Sequence, residues 1–248
     1  RPCYHAGMSA PTPPRRPSRL EDLEQVLGVS FKDRALLELA LVHSSYIAEF
    51  PGVYPGSNER LEFLGDALVD LVVAHELYAR FPSRPEGQLT QMRAALVSKE
   101  ALARVADALD LGRSLVMGRG ETNTGGLERE SNRANAFEAV VGAIFLDQGY
   151  EVARRFVLDV MAAPMRAVFE SEEPPKHPKS RLHEEAMTRG LAPPDYRVIA
   201  ETSVDEQIEF TVEVVIDGTV AGQGSGSRKA HAEREAARQA LKAMGLEA

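Results

Sequence analysis

Cys3 is the only cysteine in the 248-residue chain, which excludes an internal disulfide framework and a thiolate zinc site. A reducing compartment, such as a bacterial-type cytoplasm, is therefore the expected location. Long apolar runs are missing too: none approaches the ~20 residues of a membrane-spanning helix. The N-terminus has no apolar stretch like that of a signal peptide. No membrane partner is expected. An excess of positive charge is also absent. The formal charge is −8, which argues against a protein that coats DNA through simple electrostatics.

The sequence does contain enough apolar material for a packed core, 44 % against 27 % charged residues. Its acid is unevenly placed. Residues 1–17 carry three arginines and no acid, whereas residues 18–174 carry 16 Lys and Arg against 25 Asp and Glu. Residues 175–248 are nearly balanced, with 10 basic and 12 acidic side chains. Concentrated carboxylate is most often a solvated surface, and less often the seat of a divalent cation.

Residues 1–18 read as a disordered tail, because PTPPRRPS has no period and buries no face. Met8 is a candidate start, which leaves open whether residues 1–7 are native. From Leu20 to about Arg166 apolar residues recur at three- and four-residue steps, as in Leu61, Leu64, Leu68, Leu71 and Val72. The expectation for 19–170 is an all-α domain of about five to seven helices. Residues 171–178 (SEEPPKHP) read as a linker. Residues 179–248 then read as a small α+β domain. A helix over 179–189 precedes alternation at Tyr196, Val198 and Ala200, and again at Phe210, Val212, Val214 and Ile216. Asp217-Gly218 forms a turn, Thr219–Gly222 a third short strand, and Arg228–Met244 an Ala-rich helix, giving the order α-β-β-β-α.

The most informative segment runs from Ser57 to Asp70 (SNERLEFLGDALVD). On a helix, Glu59, Glu62 and Asp66 fall at about 0°, 300° and 340°, one stripe. Gly65 inside that helix costs about 1 kcal/mol relative to alanine, and close approach by a neighbouring helix would explain it. Three acids at this spacing usually make a solvated face. Here the helix continues almost entirely apolar, so it is central, and the acids lack basic partners at i±4. Glu138 lies in a second apolar helix, ANAFEAVVGAIF, with Asn135 one turn before it on the same face. Oxygen ligands on facing helices, without Cys or suitably spaced His, favour a hard cation such as Mg²⁺ or Mn²⁺ over Zn²⁺.

NERLEFLGD at 58–66 resembles the signature of the ribonuclease III family. His43–Tyr46, Pro85–Ser98, Gly118–Glu121 and Phe137–Asp147 resemble its further blocks. That resemblance implies a double-strand-specific endoribonuclease with Glu59, Glu62, Asp66 and Glu138 as catalytic acids. It also implies Glu62, Asp66, Asn135 and Glu138 as metal ligands, with Mg²⁺ as the ion and Mn²⁺ as a substitute. Glu86 falls on an acidic position near the scissile strand, although a plain helix-N-terminal acid fits it equally well. Phe63 falls on an aromatic that packs into the partner of a symmetric homodimer, where ordinary core packing is the alternative. The implied products carry 5′-phosphate and 3′-hydroxyl ends from staggered cuts, and no small-molecule cofactor takes part. Processing of ribosomal RNA precursors and structured messenger RNA is the implied role.

The family usually has aspartate at the place of Asn135. Three readings stay open: a natural variant that binds metal more weakly, an engineered trap, or a silent protein that binds double-stranded RNA without cutting. The intact Glu62, Asp66 and Glu138 favour the first. Residues 178–244 resemble a double-stranded-RNA-binding domain. The implied RNA contacts are His183 and Glu184 on its first helix and Arg228, Lys229 and Arg234 at the start of its last. The usual loop between its first two strands is replaced by Ser203–Glu206.

Overall fold

A computed structural model describes residues 20–171, 178–204, 207–226 and 228–246. The expected tail, most of the expected linker and part of the Ser203–Glu206 loop lie outside the described residues. The chain divides into two compact units, residues 1–174 and 175–248.

The first unit is helical. Its helices are α1 (Leu20–Leu27), α2 (Arg34–Ala40), α3 (Ser44–Glu49), α4 (Glu59–Arg80), α5 (Glu86–Leu96), α6 (Lys99–Ala108), α7 (Arg119–Asn123), α8 (Glu130–Gln148), α9 (Tyr150–Val160) and α10 (Ala162–Glu170). Two 3₁₀ turns, Leu111–Ser114 and Gly126–Glu128, complete the described elements. Five to seven helices was too low an expectation. Apolar periodicity runs on through tight junctions such as Met161 between α9 and α10, so adjoining short helices read as one.

α8 lies at the centre. Every residue from Ala136 to Ile144 is buried, as the all-round apolar pattern predicts. α4 crosses it at a very small separation, set by two glycines. A Cβ on Gly65 would sit 1.7 Å from the carbonyl oxygen of Glu138, and one on Gly142 would sit 2.3 Å from that of Leu61. Gly65 therefore has the role expected of it. Leu37, Val72, Leu77, Met92, Leu102 and Phe137 fill the surrounding core. Each such fully buried side chain contributes roughly 1.5–3 kcal/mol.

In the second unit α11 (Pro178–Thr188) and α12 (Lys229–Ala243) pack with β1 (Asp195–Val204), β2 (Gln207–Ile216) and β3 (Thr219–Gly226). The strands form one antiparallel sheet in the order β1-β2-β3. The all-α domain followed by α-β-β-β-α is thus the observed fold. α11 begins one residue inside the expected linker, because proline is well suited to a first helical position. β3 is longer than expected. Gly222 and Gly224 continue the strand because α12 presses on it: a Cβ at Gly224 would meet the Ala236 nitrogen at 2.3 Å. Asp217 and Gly218 both have positive φ, 49° and 76°, as a tight hairpin turn requires. Leu182, Val212, Val214, Ile216, Ala236 and Leu241 form this unit's own core.

Candidate active site

The position of α4 is fixed at its first turn. The Asn58 backbone N–H donates to the Val42 carbonyl at 2.7 Å, and its buried side-chain amide donates to the Ala40 carbonyl at 3.2 Å. Asn58 thereby ties the start of the acid-bearing helix to the end of α2. The stripe that follows places Glu62 half-buried, with Glu59 and Asp66 more exposed on either side. Across the glycine crossing, α8 presents Glu138, only 1 % exposed, and Asn135 one turn earlier.

The two helices bring their acids within electrostatic reach of one another. Burial pushes the Glu138 carboxyl up to about 7, opposed by Lys99 and reinforced by the charges of Asp66 and Glu62. Burial likewise raises Glu62, Lys99 lowers it, Glu59 and Asp66 raise it further, and a hydrogen bond from Asn135 lowers it. Glu62, Asp66, Asn135 and Glu138 therefore share one neighbourhood, with Glu59 at its edge bonded to the Ser57 hydroxyl at 2.7 Å.

The acids are not without a basic partner, as their own helices had suggested. Lys99, the first residue of α6, reaches in from a third helix. Its Nζ lies 2.6 Å from Asn135 Oδ1, 2.9 Å from Glu138 Oε2 and 3.8 Å from Glu62 Oε1. Among the described residues no three His, Cys, Asp or Glu side chains already converge as a metal cage. Yet the donor set suits a hard divalent cation. It is all oxygen, it includes a nearly inaccessible carboxylate, and its oxygens already gather around an ammonium. Lys99 is the residue that sequence reasoning missed. Its partners lie 36 and 39 residues away along the chain, beyond any helical spacing.

Other sequence-marked residues lie elsewhere. Glu86 opens α5, exposed, and accepts from the Thr90 hydroxyl at 2.8 Å, one turn along its own helix. Phe63 is 80 % exposed, so it is not core of its own subunit. Leu71 and Tyr78, 55 % and 75 % exposed, continue its stripe at eight- and seven-residue steps. Leu71 thus leaves the buried set that its apolar period had suggested. His43 has a structural role: its Nδ1 accepts from the Ser45 N–H and caps α3, and burial lowers its pKa. His75, although on the largely apolar α4, is exposed.

In the second unit Arg228 occupies the N-cap of α12 and Lys229 its first turn, both exposed. The backbone N–H groups of that first turn add to their attraction for anions. Glu233 tempers this charge, 2.6 Å from Lys179 and 3.9 Å from Lys229. Arg234 is half-buried, while His183 and Glu184 are exposed on α11. No described helix is long and apolar enough to cross a membrane.

Comparison with known proteins matches both units. The Ribonuclease-III-like family profile covers residues 33–165, and the Double-stranded RNA binding motif covers residues 178–244. Ribonuclease 3 of Desulforamulus reducens is 43 % identical over 226 residues, 90 % of this chain and 92 % of that protein. Ribonuclease 3 of Magnetococcus marinus is 44 % identical over 236 residues, 93 % of this chain and 95 % of that protein. The nuclease domain of ribonuclease III from Campylobacter jejuni superposes with a TM-score of 0.54 at 43 % identity, covering 58 % of this chain and 97 % of that domain. With its acid cluster on crossing helices and its RNA-binding motif downstream, the chain belongs to the ribonuclease III family.

Proposed function

We propose that the chain is a homodimeric, divalent-metal-dependent endoribonuclease that cuts double-stranded RNA in the cytoplasm. Mg²⁺ is the proposed ion and Mn²⁺ its substitute. The observation that carries this reading is the joining, in one chain, of the α4–α8 oxygen cluster to a double-stranded RNA binding motif. Glu62, Asp66, Asn135 and Glu138 are the proposed ligands, with Glu59 at the rim. When bound, a divalent cation would neutralise phosphate charge and lower the pKa of an attacking water.

The remaining contributions come from the chain itself. Gly65 and Gly142 hold the two ligand-bearing helices in register, and Asn58 fixes the turn from which Glu62 projects. Hydrolysis forms a bond from water oxygen to phosphorus and breaks the bond to the 3′-oxygen. The products are a 5′-phosphate and a 3′-hydroxyl. The exposed Phe63–Leu71–Tyr78 stripe is the proposed dimer surface, and dimer formation is named for the Campylobacter jejuni nuclease domain. A two-fold dimer offers two such clusters, one per strand, and so a staggered cut. His183, Glu184, Arg228, Lys229 and Arg234 are the proposed duplex contacts, bridging 2′-hydroxyls and phosphates of the A-form helix. Structured ribosomal RNA precursors and messenger hairpins are the proposed substrates.

Analysis of product ends tests the reading. A duplex incubated with Mg²⁺ should yield 5′-phosphate and 3′-hydroxyl ends on both strands, and chelation should stop the reaction. Cutting that survives chelation, or 2′,3′-cyclic phosphate products, would refute it.

A further inference from the structure

Lys99 carries no motif, yet the fold places it among the proposed ligands. The Ser98 hydroxyl accepts from the Ala101 N–H at 3.2 Å and caps α6, which fixes where the lysine stem begins. From that point one ammonium is shared by oxygens of Glu62, Asn135 and Glu138. The side chain is 49 % exposed, so its head can leave for water without unfolding anything around it.

Asn135 is fitted to this neighbour. Its Oδ1 accepts from Lys99 Nζ at 2.6 Å, and its side chain lowers the pKa of Glu62. An ionised aspartate has only acceptors, so it could offer Glu62 no donor and would add a charge beside it.

We propose, resting on the reading that Glu62, Asn135 and Glu138 ligate the divalent cation, that Lys99 is the tethered counter-ion of the site. It holds the ligand oxygens together before metal arrives and competes with the metal for them, and so sets metal affinity. Lys99 is a positioning residue: it acts through the ligands. The sign of its effect follows from Coulomb's law. A positive charge within 4 Å of the same oxygens opposes a second cation, and removing it favours that cation.

The test uses the full chain with Mn²⁺ alone and no RNA, read by isothermal titration and by melting with and without the ion. Lys99→Met should bind Mn²⁺ about tenfold more tightly than the native chain. Its metal-free melting temperature should fall, and its gain on adding Mn²⁺ should exceed the native gain. Lys99→Arg keeps the charge and should hold native affinity to within about twofold. Should Lys99→Met not fold, Lys99→Gln removes the same charge and carries the same expectation. Native or weaker Mn²⁺ affinity in the neutral variant, with Glu138→Gln abolishing binding, would overturn the role of Lys99 and leave the ligand reading standing. Absence of Glu138-dependent Mn²⁺ binding in every variant would overturn the ligand reading, and this proposal with it.

Discussion

Gly65 shows how a single residue governs the cluster. It lies beside Asp66 on α4 and directly over the Glu138 carbonyl on α8, so any side chain would force apart the two helices that carry the acids. Gly65→Ala should cost at least about 1–3 kcal/mol, as overpacking a tight crossing does, and should lower Mn²⁺ affinity as the ligands separate. Thermal melting and metal titration check both. A variant as stable as the native chain would mean that the crossing is looser than described. This position was legible in the sequence, since a glycine inside an apolar helix needs a reason. Lys99 was not legible. It follows an ordinary Ser N-cap, and nothing local tells that its ammonium meets α8 across the fold.

At the level of elements, what the chain discloses is periodicity, and what it conceals is packing between segments far apart. α4 and α8 were readable from their apolar spacing. The extension of β3 through Gly222–Gly226 was not, because glycine has little strand preference and the strand is imposed by the backbone of α12. The entry into α2 is a similar long-range device. The Glu24 carboxylate on α1 accepts from the Phe31 N–H at 2.8 Å and pairs with Arg34 at 2.8 Å. The Phe31 bond, with help from Arg34, holds its pKa below 4.5. A carboxyl depressed by folding stabilises the fold above its unfolded pKa, and that contribution fades as pH falls through the depressed value. Glu24→Gln should therefore lower the melting temperature by about 3 °C at pH 7. The gap should close once the pH is taken well below 4.5. An equal gap at both pH values would contradict this. On α4, Phe63→Asp should convert the dimer to monomer in light scattering after size exclusion, since burying a charge in the proposed interface is unfavourable. A variant that remains dimeric would place the interface elsewhere.

The whole molecule joins an acidic helical unit to a small α+β unit with Arg228 and Lys229 at the start of its last helix. Net charge alone pointed away from nucleic acid, and only the local placement of Arg228 and Lys229 within the α-β-β-β-α pattern pointed toward it. Replacing both with alanine should weaken duplex binding about equally for unrelated sequences, because phosphate recognition carries no base information. The slope of log affinity against log salt should become shallower by about one for each phosphate no longer neutralised. An unchanged slope would remove these residues from the interface. The most direct test of catalysis is cleavage of a labelled duplex of ~30 base pairs, long enough for the binding motif, in Mg²⁺ by the native chain, Glu138→Gln and Asn135→Asp. A gel shift alongside reports binding by all three. The native chain should bind and cut, Asn135→Asp should bind and cut, and Glu138→Gln should bind without cutting. A native chain that binds the duplex and leaves it intact would contradict the proposal that its Glu62–Asp66–Asn135–Glu138 cluster is a working active site.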